Sequence, residues 1–189
     1  PRLDLSMRPA MSEMTATNRW TMRMVFVAIV ALISFMQLLP LNPGPGRFPG
    51  PDLLLLVAIA WVQRRPEYVP VWLIALIFFI ADWVFMRPPG LWAGIVVVAT
   101  ETLRAQAPQL RDQSIFIEWL TVAGMVTAMF LAYAMILGIF LVDQPALGAT
   151  LIRLIMTILA YPLAIALSAR AFGVRKMVGG ETEQFGRVR

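Results

Sequence analysis

Long apolar runs dominate the sequence and restrict the folds that are open to it. Four runs are plain, at residues 24–39, 69–86, 115–142 and 147–172. A helix that crosses the hydrocarbon core of a bilayer needs about 20 residues, with a range of about 17 to 25. The composition agrees, because 59% of the residues are hydrophobic and only 14% are charged, whereas about 25% are charged in soluble domains. The sequence therefore predicts an all-α integral membrane protein.

Two shorter apolar runs, at residues 53–62 and 91–99, decide how often the chain crosses. If both cross, the N-terminal segment, the loops 63–68 and 101–114 and the C-terminal tail share one side. The basic residues on that side are then Arg2, Arg8, Arg19, Arg23, Arg64, Arg65, Arg104, Arg111, Arg170, Arg175, Lys176, Arg187 and Arg189. The other side holds Arg47 and Arg87, a distribution that fits the excess of Lys and Arg in cytoplasmic loops. We predict six transmembrane helices with both termini in the cytoplasm.

This topology divides the chain into a cytoplasmic N-terminal segment (1–22), a six-helix transmembrane domain (23–172) and a cytoplasmic tail (173–189). The first apolar run is interpreted as a retained anchor, because no small-x-small cleavage motif follows it. The sequence has no cysteine and no histidine, which excludes disulfides, Cys/His zinc sites and histidine acid–base chemistry. It also lacks phosphate-loop and serine-hydrolase motifs. We expect no enzyme, cofactor or metal, and we assign the basic residues to topology rather than to nucleic-acid binding.

Two ionisable residues interrupt the apolar runs near the predicted outer face. Asp82 is five residues before Arg87, and Arg153 is six residues after Leu147, so both lie about 8–9 Å below that face. Opposite charges at equal depth favour a pair, either as a polar site inside the bundle or as a salt bridge that orients the helices. The alternative is that Arg153 reaches outward alone.

A third charge and two rows of small residues complete the features of the last two runs. Glu118 is expected at the inner interface, with Arg104 or Arg111 as its partner. The small residues are spaced four apart, which lets helices approach closely. We predict packing within the bundle for both rows, with a partner helix as the alternative. These residues are Gly124, Ala128 and Ala132 in the fifth helix and Ala160 and Ala164 in the sixth.

Residues 51–104 carry a motif-level resemblance to a known family. The stretch "PDLLLLVAIAWVQRRPEY" is followed by "ALIFFIADWVF" with its acidic residue and by the turn "RPPGLWAG". This order resembles the rod shape-determining protein MreD family. The residues that carry the motif, and are candidates for partner contact, are Pro51, Asp52, Trp61, Arg64, Arg65, Pro66, Tyr68 and Gly90.

The same residues have a physical interpretation of their own. Asp52 is expected to cap the first turn of its helix. Trp61 and Tyr68 are expected at the inner interface as an aromatic belt. Arg64 and Arg65 are expected to meet the cytoplasm and the lipid head groups, and to form a docking turn for a cytoplasmic partner. Lipid phosphates are the alternative ligand for these arginines.

The resemblance implies a non-enzymatic scaffold in the bacterial inner membrane. Its direct partner would be MreC, within a cell-elongation complex that includes MreB, RodZ, RodA and the elongation transpeptidase. The protein would help to couple MreB filaments to peptidoglycan synthesis. The MreD family is also similar to the six-helix S-components of energy-coupling-factor transporters, which implies a compact bundle of that kind. A small-molecule or lipid-binding transporter subunit is therefore the alternative function.

Overall fold

The protein is a bundle of six α-helices in the residues that the structure describes. The computed structural model describes residues 7–39, 50–110, 113–142 and 146–172, and the side chains of residues 19–170 among them. The helices are α1 (Met7–Leu38), α2 (Leu53–Arg64), α3 (Val71–Val84), α4 (Leu91–Leu110), α5 (Ile115–Ile139) and α6 (Leu147–Phe172), with a 3₁₀ turn at Pro66–Tyr68. No strand occurs in this part of the chain, so the all-α prediction is confirmed there.

Three of the helices are long and apolar enough to cross a membrane. The spans are Arg19–Leu38, Ile115–Ile139 and Leu147–Arg170, which is consistent with a membrane protein. Helices α2 and α3 have only 12 and 14 residues, so they extend over about 18 Å and about 21 Å. Helix α1 begins at Met7 and thus enters the segment assigned to the cytoplasm, whereas residues 173–189 lie outside the described part of the chain.

Helix α2 lies at the centre of the bundle and packs against α1, α4 and α6. Ten of its 12 residues are buried, because its sequence is apolar on every face and such a helix is stable only when other elements surround it. Helices α1, α5 and α6 instead leave many of their apolar residues exposed or half-buried on the outside of the bundle. Phe26 and Val30 of α1 contribute to the core around α2.

The start of α2 is fixed by side-chain hydrogen bonds. Asp52 is the N-cap, and its Oδ1 accepts a hydrogen bond from the backbone N–H of Leu55 at 3.2 Å, as the sequence predicts. The backbone N–H of Asp52 donates to Thr157 Oγ1 at 2.9 Å. The hydroxyl of Thr157 in turn donates to the carbonyl of Arg153 at 2.7 Å. This chain of hydrogen bonds holds the N-cap residue Asp52 against α6. Pro51, which directly precedes it, is half-buried.

Candidate functional site

A buried ion pair joins α2 to α5 and α6. Arg64 Nη2 lies 3.1 Å from Glu118 Oε1, and the side chains of the two residues are only 7% and 3% exposed. The hydroxyl of Tyr161 donates a hydrogen bond to the same carboxylate oxygen at 3.1 Å. A buried carboxylate and a buried guanidinium are tolerated when they are paired and further hydrogen-bonded. We call Arg64, Glu118 and Tyr161 the inner polar cluster.

The two charged members of the inner polar cluster do not lie where the sequence predicts them. Arg64 does not extend to the cytoplasm or to lipid head groups, because α2 is so short and central that its last residue still lies inside the bundle. Glu118 is buried rather than interfacial, and its ion-pair partner is Arg64 instead of Arg104; Arg111 lies outside the described residues. The signal for this pair was present in the sequence, as an arginine and a glutamate at the ends of two apolar helices.

One of the two motif aromatics differs from its expected place. Trp61 is fully buried, and its ring centroid lies 5.3 Å from that of Phe26. It is therefore a core residue that contacts α1, and the prediction that it lies at the membrane interface is wrong. Tyr68 is half-buried and packs against the core.

The turn after α2 is held by contacts within the chain. Arg104 donates from Nη1 to the carbonyl of Pro66 at 2.9 Å and from Nη2 to the carbonyl of Val69. Arg65 lies 3.6 Å from the carboxylate of Glu67. The arginine side chains of this turn are therefore used internally or paired. Of the two arginines of the predicted docking turn, Arg64 is buried, whereas Arg65 remains partly exposed beside Glu67.

Asp82 lies in α3 and caps the N-terminus of the neighbouring helix α4. Its side chain is fully buried, and Oδ2 accepts hydrogen bonds from the backbone N–H groups of Gly90 at 3.0 Å and Ala93 at 3.1 Å. These amides belong to the N-terminus of α4, where a negative charge is favoured by the unsatisfied donors and the helix dipole. Gly90 has a φ of +82°, a conformation that glycine adopts without steric cost. The motif acid and the motif glycine thus form one structural unit.

The predicted pair between Asp82 and Arg153 does not form. No carboxylate in the described part of the chain makes an ion pair with Arg153, and Asp82 binds the start of α4 instead. Equal depth along the helices says nothing about which helices are neighbours. Helix α3 packs mainly against α4, whereas α6 packs against α2 and α5, so the two charges lie on helices that are not in extensive contact.

Arg87 connects the starts of α2 and α4, a role that the sequence did not indicate. Its Nη2 lies 3.8 Å from Asp52 Oδ2. Its guanidinium also lies 5.4 Å from the ring centroid of Phe85 and 5.5 Å from that of Trp92. Trp92 makes an edge-to-face contact with Tyr133 of α5 at 5.2 Å. Electrostatic and aromatic contacts thus link α2, α4 and α5 at this end of the bundle.

The two rows of small residues have different environments. Ala160 and Ala164 pack partly buried against the core, as predicted for α6. In α5, Gly124 and Ala128 are exposed, and a Cβ at Gly124 would meet nothing within 4 Å. Ala128 and Ala132 line an apolar groove of about 470 Å³ between α4 and α5. The predicted packing within the bundle is therefore wrong for Gly124 and Ala128, whereas Ala132 is half-buried.

The chemistry of these clusters is structural. The carboxylates of Asp52, Asp82 and Glu118 each bind a guanidinium, a hydroxyl or a helix N-terminus, so each charge holds two or more helices together. Such an arrangement fixes helix positions. Comparison with known proteins yields no relative: no family model, no curated protein and no solved structure matches the chain.

Proposed function

We propose that the protein is a non-enzymatic scaffold subunit of the bacterial cell-elongation complex in the inner membrane. The observation that supports this proposal is the structural role of the motif residues. Asp52, Arg64, Asp82 and Gly90, which resemble the MreD pattern or its acidic position, all hold helices in place. Residues that fix helix positions suit a protein whose outer surfaces, rather than a reaction site, perform its function.

A scaffold needs surfaces whose positions do not change, and contacts at both ends of the central helix α2 hold the surrounding helices in position. Helix α2 is bound to α6 through Thr157 at its start and to α5 through Glu118 at its end. The turn that follows is held by Arg104. The helices around α2 present fixed apolar faces, including the α4/α5 groove, to the lipid or to a partner. MreC, the direct partner that the resemblance implies, is a single-span protein and has a helix that such faces suit.

We further propose that all six helices cross the membrane, with both termini in the cytoplasm. Helix α2 is shorter than a bilayer, but protein surrounds it, and backbone at membrane depth is tolerated when protein buries it. Reporter fusions after Arg65 and Arg111 should give cytoplasmic signals, and fusions after Arg47 and Asp143 should give periplasmic signals. A periplasmic signal after Arg65 would contradict the six-helix arrangement.

Depletion of the protein in the bacterium that encodes it should convert rod-shaped cells to round ones, because elongation requires the scaffold. The measurement is cell length and width by microscopy, together with capture of the tagged protein from solubilised membranes. The capture should recover MreC as the main partner, followed by RodA, RodZ, MreB and the transpeptidase. A multi-pass membrane protein of unrelated function with the same tag serves as the control.

The alternative function gives a different result in the same experiments. A small-molecule or lipid-binding transporter subunit would be captured with transport proteins, would leave cell shape unchanged on depletion and would retain a small ligand. Normal rod shape after depletion, together with capture of no MreC, would rule out the scaffold proposal.

A further inference from the structure

Arg153 is a charged residue inside an apolar helix. It lies in α6, one of the three helices that are long and apolar enough to cross a membrane. The residue is half-buried, and its Nε atom is buried without a hydrogen-bond partner. In residues 7–39, 50–110, 113–142 and 146–172, no carboxylate pairs with its guanidinium. A charge in such a place is costly unless something outside the described chain binds it.

The position of Arg153 along α6 indicates what can reach it. The residue follows the first residue of α6, Leu147, by six positions, or about 9 Å along the helix axis. A long arginine side chain can extend from that depth to the head-group region. A guanidinium binds phosphate through two parallel hydrogen bonds, and the head-group region that it can reach contains lipid phosphates.

The surroundings of Arg153 add positive charge. The carbonyl of Arg153 and the N-cap of α2 bind the same Thr157 hydroxyl, so this turn of α6 lies against the N-terminus of α2. That terminus carries a partial positive charge. Arg87 reaches the same cap from another side, with 3.8 Å between its Nη2 and Asp52 Oδ2. The carboxylate of Asp52 binds both this N-terminus and Arg87, while Asp82 is engaged by α4.

The exposed face beside Arg153 is apolar. Ile152 and Met156 lie four residues apart on the side of α6 next to Arg153; Ile152 is half-buried and Met156 is 36% exposed. A ligand that brings a phosphate to Arg153 and covers these side chains must have a hydrocarbon part. A phospholipid has both, whereas a soluble phosphate or an acidic peptide has only the anion.

We infer that Arg153 binds the phosphate of an anionic phospholipid, with the α2 N-terminus and Arg87 adding positive charge and the exposed face of α6 contacting an acyl chain. The site requires only that α6 crosses the membrane. It is independent of the elongation function, so either proposal can fail without the other.

The test is a lipid titration of the purified full-length protein in detergent, read by native mass spectrometry. The probes are phosphatidylglycerol, phosphatidylcholine and water-soluble glycerol phosphate. Wild-type protein should retain phosphatidylglycerol in preference to phosphatidylcholine. Arg153→Gln should weaken phosphatidylglycerol binding about tenfold, equal to about 1.4 kcal/mol, and Arg153→Lys should weaken it less because the charge remains.

Two control variants distinguish this site from general charge effects. Arg170→Gln removes an exposed arginine in the last turn of α6, at the opposite end of that helix from Arg153, so retention should stay at the wild-type level. Asp143→Asn, beyond the described residues, should also leave retention unchanged.

Three outcomes would overturn the inference. The first is a wild-type protein without preference for phosphatidylglycerol, a result that decides the question even if Arg153→Gln does not fold. The second is an Arg153→Gln variant that retains the lipid like wild type. The third is efficient competition by glycerol phosphate, which would assign the site to a soluble phosphate and remove the role of the acyl chain.

Discussion

Replacement of Glu118 by leucine should lower the free energy of unfolding by about 3–5 kcal/mol, the cost of removing one partner from a buried ion pair. The side chain of Arg64 is only 7% exposed, and arginine cannot lose its proton to escape the penalty. The hydroxyl of Tyr161 loses its acceptor as well. The measurement is reversible unfolding of the purified protein in mixed micelles, followed by circular dichroism.

Two further variants test whether the loss comes from the isolated charge. The double variant Arg64→Met with Glu118→Leu removes both charges and should recover most of the loss, because an apolar pair of similar volume can replace a buried ion pair. Tyr161→Phe removes a single hydrogen bond and should cost about 1 kcal/mol. Additive losses in the double variant would show that Arg64 and Glu118 do not interact.

Asp82→Ala should cost about 2–5 kcal/mol, the second-largest effect that we expect. Two backbone N–H groups, of Gly90 and Ala93, lose their carboxylate acceptor, and each buried donor without a partner costs about 1–3 kcal/mol. Unfolding in mixed micelles gives the energy. Hydrogen exchange should show faster exchange at the first turn of α4, since that turn loses its cap.

Asp82→Asn is the matched control, because it keeps an oxygen that can accept from the two amides and should therefore cost less than alanine. The same series tests the neighbours of Asp82. Combining Asp82→Ala with Arg153→Gln should give additive losses within about 0.5 kcal/mol, as for residues without shared contacts. A strong coupling energy between these two substitutions would instead indicate that Asp82 and Arg153 form the salt bridge predicted from their equal depth.

Properties that depend on short stretches of sequence could be predicted. The helical class follows from the apolar runs, and the N-cap at Asp52 follows from an acid directly before a run. The turn that opens α4 follows from its proline and glycine residues. Each of these features is decided by neighbours within a few residues, so the sequence alone contains the cause.

Properties that depend on which helices are neighbours could not be predicted. The depth of Asp82 and Arg153 was inferred from helix length, but α4 lies next to α3 and supplies two amides that bind the acid. Arg64 was counted among the charges that set topology, whereas its burial depends on the central position of α2. The exposed small residues of α5 were equally ambiguous, since their spacing suits packing within the chain or outside it.

The contacts of α2 have a consequence for biosynthesis. The partner of Arg64 is in α5, and the hydroxyl that binds the Asp52 amide is 105 residues further along the chain. At about 5–20 residues per second, a ribosome needs about 5–20 s to make that length. During this interval α2 has been translated but lacks the groups that satisfy its two ends. A nascent chain therefore passes through a stage in which this helix needs insertion factors or chaperones, and release before α6 is complete leaves a substrate for membrane proteases.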